Sequence, residues 1–197
     1  MSVFSPVFFE RPVLLVARDL LGAQLIRIQN GVRLSGTIIE AEAYDGEQDL
    51  ACHARSGHTP RNEVMYGPAG HAYIYFTYGM HWMMNVVTGE TGYPAAVLLR
   101  GLLPTEGLDI IASQRKGQSD KLWCNGPAKL TRAFSIDGLF NRADLCDPFG
   151  DLRLEIGAKI PEDNVEKTPR IGIQNTPEPW RSLPWRFLVK QSGIQRK

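Results

Sequence analysis

The sequence has no long apolar run and no export signal. No hydrophobic stretch reaches the roughly 20 residues that a membrane-spanning helix needs, although 43% of the 197 residues are hydrophobic. The opening segment, MSVFSPVFFERP, lacks the charged region and the small-residue cleavage site of a secretory signal. We therefore expect an intracellular protein with a buried core and no membrane contact, cytoplasmic if its source is bacterial and nuclear if it is eukaryotic.

Cysteine and histidine are scarce, and neither has metal-binding spacing. The three cysteines (Cys52, Cys124 and Cys146) form no C-x-x-C pair, so free thiols are expected rather than disulfides or a zinc site. The four histidines lack H-E-x-x-H spacing, and His53-Ala54-Arg55 lacks the glutamate of the zinc deaminase signature. Nucleotide-binding glycine motifs are also missing. The sequence therefore predicts no metal and no cofactor.

An excess of charge is missing too, since 22 basic residues balance 21 acidic ones for a net charge of +1. A DNA-binding protein of this composition must collect its basic residues on one face, because phosphate contacts dominate its affinity. Acids crowd residues 40–49, and bases recur at Arg115, Lys116, Lys121, Lys129 and Arg132 and again at Arg181, Arg186, Lys190, Arg196 and Lys197. Charge alone favours an ordinary solvated surface.

The pattern of strands and helices predicts a single α+β domain spanning residues 1–197, with a curved, mostly antiparallel sheet. Asn30-Gly31 predicts a hairpin turn between strands at 24–29 and 32–44. Further strands are predicted at 72–77, 85–87, 95–102, 152–156 and 185–190. Helices are predicted at 12–21, 104–115 and 127–134, the last with Asn125 as its N-cap. Trp180 and Trp185 frame a proline-rich connection at 176–184.

The segment Glu40-Ala41-Glu42-Ala43-Tyr44 could carry chemistry. Because side chains alternate along a strand, Glu40, Glu42 and Tyr44 share one face and small apolar residues share the other. Carboxylates beside an aromatic ring are typical of a cleft. Taken alone, an edge strand that presents acids to water is the favoured interpretation.

Two other segments could meet nucleic acid. Tyr73 and Tyr75 share a strand face, and Tyr78 stands beside Gly79 where the chain can reverse, so exposed rings could stack on bases. Taken alone, core or hairpin-packing tyrosines are the favoured interpretation of this pattern. Residues 125–130, NGPAKL, open a predicted helix whose free amides could contact a DNA phosphate, although an ordinary capped helix explains them as well.

Taken together, these segments resemble the alkyladenine (3-methyladenine) DNA glycosylase family. The matching motifs are E-A-E-A-Y-x-G at 40–46 with His53 beyond it, T-P-R-N at 59–62, Y-I-Y-F-T-Y-G-M at 73–80 with Asn85 following, V-L-L-R at 97–100, and N-G-P-A-K-L at 125–130. Each motif is weak alone. Their order and spacing match over residues 12–190, and together they outweigh the structural interpretations given above.

The resemblance implies a role for each matching residue. It implies that Glu42 is the general base and that Arg100 lies near the catalytic water and the DNA backbone. The implied base pocket consists of Tyr44, His53, Tyr75 and Asn85. A protruding β-hairpin is implied to enter the DNA minor groove, with Tyr78 filling the gap left by a flipped nucleotide and Met80 beside it. Implied contacts to the DNA backbone are Thr59, Arg61 and Lys129.

The implied reaction is hydrolysis of the N-glycosidic bond of a damaged purine in double-stranded DNA, catalysed by a monomer. The base must leave the duplex before it can be reached. Alkylation makes it cationic, so electron-rich rings attract it, and one carboxylate is enough to activate a water at the sugar. Alternatives are a glycosylase/lyase that uses Lys129 as an amine nucleophile, a non-catalytic nucleic-acid-binding module, and an enzyme whose acids at 40–49 bind a divalent metal.

Overall fold

A computed structural model describes residues 2–190 of the chain. The α-helices are α1 (Pro6–Phe9), α2 (Val13–Asp19), α3 (Leu108–Gln114) and α4 (Pro127–Ala133). The strands are β1 (Gln24–Gln29), β2 (Val32–Asp45), β3 (Ala72–Thr77), β4 (His81–Thr88), β5 (Ala95–Glu106), β6 (Leu152–Glu155), β7 (Val165–Thr168) and β8 (Arg186–Val189). Within residues 2–190, no helix has the length and apolar character needed to cross a membrane.

The eight strands form one antiparallel sheet, which confirms the predicted α+β class. The main strand order is β3-β4-β5-β2-β1-β6, while β8 pairs with both β2 and β7. The long strand β2 uses residues 32–37 to pair with β1 and Glu40–Glu42 to pair with β8, and β5 lies along its other edge. The part of β2 that carries Glu42 is therefore interior to the sheet. The interpretation of β2 as an edge strand that shows its acids to water is wrong.

The two faces of the sheet pack into two different hydrophobic clusters. One face carries Ala41 and Ala43 into the main apolar core, which also holds residues of α2 and α4 such as Val16 and Leu130. The other face carries Tyr73 and a smaller apolar cluster formed with the loop at residues 52–65. The three cysteines, Cys52, Cys124 and Cys146, are buried free thiols. The polar side chains that share the second face therefore lie under a loop and not in the main core.

Several predicted boundaries needed correction. Strand β5 runs on to Glu106, where it pairs with Ser35, so the predicted helix at 104–115 begins only at Leu108. The N-cap of α4 is Gly126, without a side-chain cap, in place of the predicted Asn125. Strand β4 begins at His81, earlier than predicted, and α1 and β7 were not predicted. The predicted Asn30-Gly31 turn is confirmed, because both residues have positive φ, 51° and 77°.

Candidate active site

Glu42 lies at the centre of the candidate site, and its side chain is enclosed. Its neighbours across the sheet are Leu98 on β5 and Arg186 on β8, and its exposed fraction is 0%. The predicted alternation of β2 holds, since Ala41 and Ala43 face the main core and Glu42 faces away with Tyr44. The carboxylate nevertheless lies beneath a covering segment and not in an open cleft, because residues 170–172 cross it.

Three donors hold the Glu42 carboxylate. The Tyr44 hydroxyl donates to Oε2 at 2.9 Å, Nη1 of Arg100 donates to the same oxygen at 3.3 Å, and the amide of Ile171 donates to Oε1 at 2.7 Å. Burial raises the pKa of Glu42, while Arg100 and the other donors oppose that rise. The site therefore contains a desolvated carboxylate of raised basicity that is fixed in one orientation.

Arg100 reaches Glu42 because of an irregularity in the sheet. Glu40 pairs with Gly101 and Ala41 pairs with Leu99, so the register skips Arg100 on β5. Such a bulge redirects the side chain it carries. The Arg100 guanidinium lies between two carboxylates, with Nε donating to Glu40 at 3.1 Å and Nη1 donating to Glu42. Glu40 also accepts from Arg186 at 2.9 Å, which links β2, β5 and β8 at the site.

Aromatic rings gather on the same face of the sheet. The ring centroids of His53 and Tyr75 lie 4.4 Å apart and those of Tyr73 and Tyr75 lie 5.3 Å apart. Tyr44 and Tyr75 both pack against the smaller apolar cluster. Burial raises the pKa of Tyr75 to about 12, with smaller contributions from nearby groups that include Glu42 and Tyr78. The predicted pocket rings and the predicted base are therefore neighbours.

His53 is positioned by its loop and is uncharged at neutral pH. Its Nδ1 lies 2.8 Å from the Tyr73 hydroxyl, and the Asn62 side chain donates to its carbonyl at 3.1 Å. His53 as a whole is solvent-exposed. The surrounding protein and the guanidinium of Arg61 nevertheless lower the pKa of His53 to about 4. The ring therefore adds no positive charge to the pocket.

A cleft of about 490 Å³ opens beside His53, between the loop at 51–62 and the segment at 172–176. Thr59 and Arg61 line one wall, and Gly172 and Thr176 line the other. Gly172 in the wall of the cleft directly follows Ile171, whose amide donates to Glu42. Among the clustered aromatic rings, the cleft is lined by that of His53.

Asn85 is buried, and a hydrogen bond holds its side chain in place. It is 4% exposed, and its side-chain amide donates to the carbonyl of Tyr73 at 3.0 Å, directly across the β3–β4 pair. This hydrogen bond fixes the side chain at the base of the strands that carry the tyrosines. Asn85 is thus rigid and close to Tyr73.

The β3–β4 hairpin presents apolar side chains to solvent. Tyr78 and Met80 at its tip are 82% and 67% exposed, and Tyr78 has a φ of 52° followed by 66° at Gly79. Behind the tip, Phe76 and Trp82 pack with ring centroids 4.7 Å apart. The Thr131 hydroxyl of α4 donates to the carbonyl of Trp82 at 2.9 Å. The hairpin tip is therefore exposed, while the strands behind it are anchored to α4.

The predicted backbone-contact residues lie on both sides of this site. Thr59 donates its amide to Asn62 at 2.7 Å, and the Arg61 guanidinium lies 5.4 Å from the centroid of Tyr75. Lys129 donates to the side chain of Asn125 at 2.8 Å. Asn125 forms a β-bridge with Gly101, so the start of α4 lies next to Arg100.

The sequence analysis missed the residues that cover and brace Glu42. Arg170 and Asp49 form a fully buried ion pair, and Ile171 supplies an amide to the carboxylate. No local spacing connects two residues that are 121 positions apart.

Comparison with known proteins identifies relatives along nearly the whole chain. The family model described as methylpurine-DNA glycosylase matches residues 7–193. A protein of Carboxydothermus hydrogenoformans named "Putative 3-methyladenine DNA glycosylase" is 48% identical over 190 residues, covering 96% of each chain. Proteins with the same name from Myxococcus xanthus and Methanocella arvoryzae are 46% and 45% identical, covering 94% and 100% of this chain and 89% and 97% of their own.

Proposed function

The chain belongs to the methylpurine-DNA glycosylase family, and on this premise we propose that it hydrolyses the N-glycosidic bond of alkylated purines in double-stranded DNA. The observation that carries the proposal is the contact between the Tyr44 hydroxyl and the Glu42 carboxylate. It joins a basic group to the aromatic ring against which a purine can stack. A non-catalytic DNA-binding module has no need of a desolvated carboxylate beside such a ring.

The aromatic rings suit a cationic base. Alkylation at purine N3 or N7 gives the base a positive charge, and each ring face attracts a cation by roughly 0.5–2 kcal/mol. Tyr44 and Tyr75 supply such faces. Because the pKa of His53 is lowered to about 4, the His53 ring can stack on the cation without repelling it. We propose that these three residues form the base pocket and that Asn85, fixed beside Tyr73, limits its depth.

The base must reach this pocket from within the duplex. Extruding a nucleotide costs a few kcal/mol, and less when a lesion weakens pairing. An inserted side chain offsets part of that cost by filling the vacancy. Tyr78, exposed at the hairpin tip and close enough to affect Tyr75, is the residue that we propose inserts, with Met80 beside it. Thr59, Arg61 and Lys129 are proposed to contact the DNA backbone on either side.

We propose that Glu42 then activates the water that attacks the sugar. A carboxylate offers about four acceptor sites, and Tyr44, Arg100 and Ile171 occupy three of those of Glu42. The remaining acceptor site is on Oε1, which within residues 2–190 accepts only from the Ile171 amide. Since Glu42 has no exposed surface in the free protein, we infer that the water reaches it when the flipped nucleotide displaces part of the cover.

In this scheme, Glu42 accepts the proton of the water and the departing purine accepts the electrons of the glycosidic bond. The water proton passes to the Glu42 carboxylate as the oxygen bonds to C1′, and the electrons of the glycosidic bond leave with the purine. A cationic purine becomes neutral on departure and needs no acid. The carboxylate also stabilises positive charge that develops on the sugar. Arg100, held between Glu40 and Glu42, keeps the carboxylate oriented and lies next to the start of α4.

The same scheme predicts that uncharged damaged bases are released more slowly. Hypoxanthine carries no positive charge, so it gains less from the rings and requires protonation to leave. We therefore propose that the chain releases alkylated purines faster than deaminated ones. We also propose that the chain forms one domain, because strands from the whole described chain join a single sheet, and that it acts inside the cell as a monomer.

The test uses duplex oligonucleotides that each carry one lesion, 3-methyladenine, 7-methylguanine, hypoxanthine or ethenoadenine, followed by alkaline cleavage of abasic sites. We expect cleavage that depends on the enzyme and on the lesion, with none for undamaged DNA. Strand cleavage without alkali would indicate a lyase. Binding without any base release would indicate a non-catalytic module and would refute the proposed activity.

A further inference from the structure

The strongest feature outside the predicted site is the ion pair between Arg170 and Asp49. Both side chains are fully buried. Arg170 Nη2 donates to Asp49 Oδ1 at 2.9 Å, and Nη1 donates to the other carboxylate oxygen. Two further hydrogen bonds from Arg170 reach the carbonyls of Ala43, at 2.9 Å, and Trp180, at 3.2 Å. The guanidinium therefore joins β2, the loop after it and the proline-rich connection.

Arg170 packs against the ring of Tyr44 on β2 and directly precedes Ile171, and both of these residues donate to Glu42. Its guanidinium carbon lies 4.7 Å from the centroid of Tyr44 and 5.0 Å from that of Trp185, so it is held between two rings. The ring of Tyr44 carries the hydroxyl that donates to Glu42 Oε2. The next residue, Ile171, carries the amide that donates to Oε1. Arg170 itself donates no hydrogen bond to Glu42.

We propose that the buried Arg170–Asp49 pair is a positioning device that holds the Tyr44 hydroxyl and the Ile171 amide against the catalytic carboxylate. This inference rests on the proposed function, since it assigns the pair a role only if Glu42 is the base. A fork of two parallel hydrogen bonds fixes the guanidinium plane in a way that a lysine ammonium cannot. A buried ion pair contributes little net stability when compared with apolar residues, so orientation is the property it adds here.

A substitution of Arg170 that keeps its positive charge but loses the two-bond fork separates a role in orientation from a role of charge alone. In Arg170→Lys the positive charge stays, while the Ile171 amide loses its fixed place. Because that amide stabilises the ionised form of Glu42, its displacement raises the pKa of Glu42. The acid limb of the pH–rate profile, where base release rises as Glu42 loses its proton, then moves to higher pH. The expected shift is about one pH unit, the size expected for losing a hydrogen bond to a charged acceptor.

None of the other charged and titratable groups near Glu42 is substituted in this variant. They are Glu40 on β2, Arg100 on β5, Arg186 on β8, Tyr44 and Tyr75. A second variant, Ile171→Pro, deletes the amide hydrogen directly. Ile171 is 45% exposed, so its side chain lies outside the buried core. We expect its acid limb to move in the same direction.

Arg33→Lys provides the matched control. Arg33 also forms a two-bond pair, with the mostly buried Glu155 at 3.0 and 2.9 Å, but this pair joins β2 to β6 at the end of the sheet away from Glu42. We expect Arg33→Lys to lower the melting temperature and leave the acid limb where it is in the wild-type protein.

The experiment measures single-turnover release of 7-methylguanine between pH 5 and 9, with each variant in excess over duplex DNA, alongside thermal melting. An acid limb that matches the wild type in Ile171→Pro, or in a folded Arg170→Lys, overturns the inference even if the overall rate falls. A wild-type protein that releases no base refutes the proposed function instead, and the inference falls with it.

Discussion

Replacing Tyr78 with asparagine is expected to stabilise the protein while weakening its action on DNA. Tyr78 has a φ of 52°, in the left-handed region where a residue with a Cβ loses about 1–2 kcal/mol. Asparagine tolerates this region far better. Because the tyrosine is 82% exposed, little packing is lost with its ring. We expect a gain of about 1 kcal/mol, which raises the melting temperature of a domain of this size by about 2–4 °C.

The effect on DNA has the opposite sign. Stacking of a ring on a base contributes about 1–3 kcal/mol, so losing the inserted ring should reduce the population of flipped nucleotide by about 5- to 150-fold. Fluorescence of a 2-aminopurine placed beside the lesion reports flipping, and a filter-binding assay on undamaged duplex reports nonspecific affinity. We expect the first to fall much more than the second.

The first hairpin supplies a reciprocal control. Asn30 has nearly the same φ, 51°, at a turn remote from the site, so Asn30→Tyr should destabilise the protein by a similar amount and leave base release unchanged. A Tyr78→Asn variant that melts lower than the wild type, or that flips the lesion equally well, would show that Tyr78 serves the fold and not the DNA.

Three further predictions concern the chemistry. Base release by the wild type should rise with pH through an ionisation above the ordinary pKa of glutamate, because burial raises the pKa of Glu42; an ionisation at or below that ordinary pKa would contradict this. Glu40→Gln removes a negative charge that helps to raise the pKa of Glu42, so its acid limb should move to lower pH in the same single-turnover assay, and an upward shift would contradict the account. Borohydride added during turnover should trap no covalent adduct between protein and DNA, since the scheme uses water and not Lys129 as the nucleophile; a trapped adduct that is lost in Lys129→Ala would establish the lyase alternative.

Local patterns predicted the parts of the fold that depend on neighbouring residues. Asn30-Gly31 specified its hairpin because both residues accept positive φ, and the alternation along β2 placed Glu42 opposite Ala41 and Ala43. Strands β3 and β5 were predicted from their aromatic and β-branched or aliphatic composition. These features need no information from distant parts of the chain.

Long-range pairing explains the errors. Pro104 resembles the first residue of a helix, yet it pairs with Gly36 at the end of β5, because continuing the sheet satisfies more backbone groups there. The four-residue strand β7 exists because β8 lies beside it, and its own sequence has too few residues to show a period. Neither partner is visible in a local window.

The same distinction applies to the site. The family resemblance and the strand alternation identified Glu42, Tyr44 and Tyr75 as neighbours, which their contacts with one another and with the smaller apolar cluster support. The enclosure of Glu42 was not predicted. It depends on residues 170–172 returning over β2 from the far end of the chain, and on Arg170 meeting Asp49 across 121 positions.

The central claim is that the Glu42 carboxylate is the base, and Glu42→Gln tests it most directly. Glutamine keeps the shape of the side chain, and its one amide oxygen can still accept from Tyr44 and Arg100, while its NH2 group cannot accept from Ile171. It also cannot accept the water proton, and losing a general base costs about 10²–10⁴-fold in rate. Single-turnover release of 7-methylguanine should therefore fall at least to that extent, while affinity for the lesion-bearing duplex stays within a few-fold of the wild type. Wild-type release rates from this variant would contradict the account.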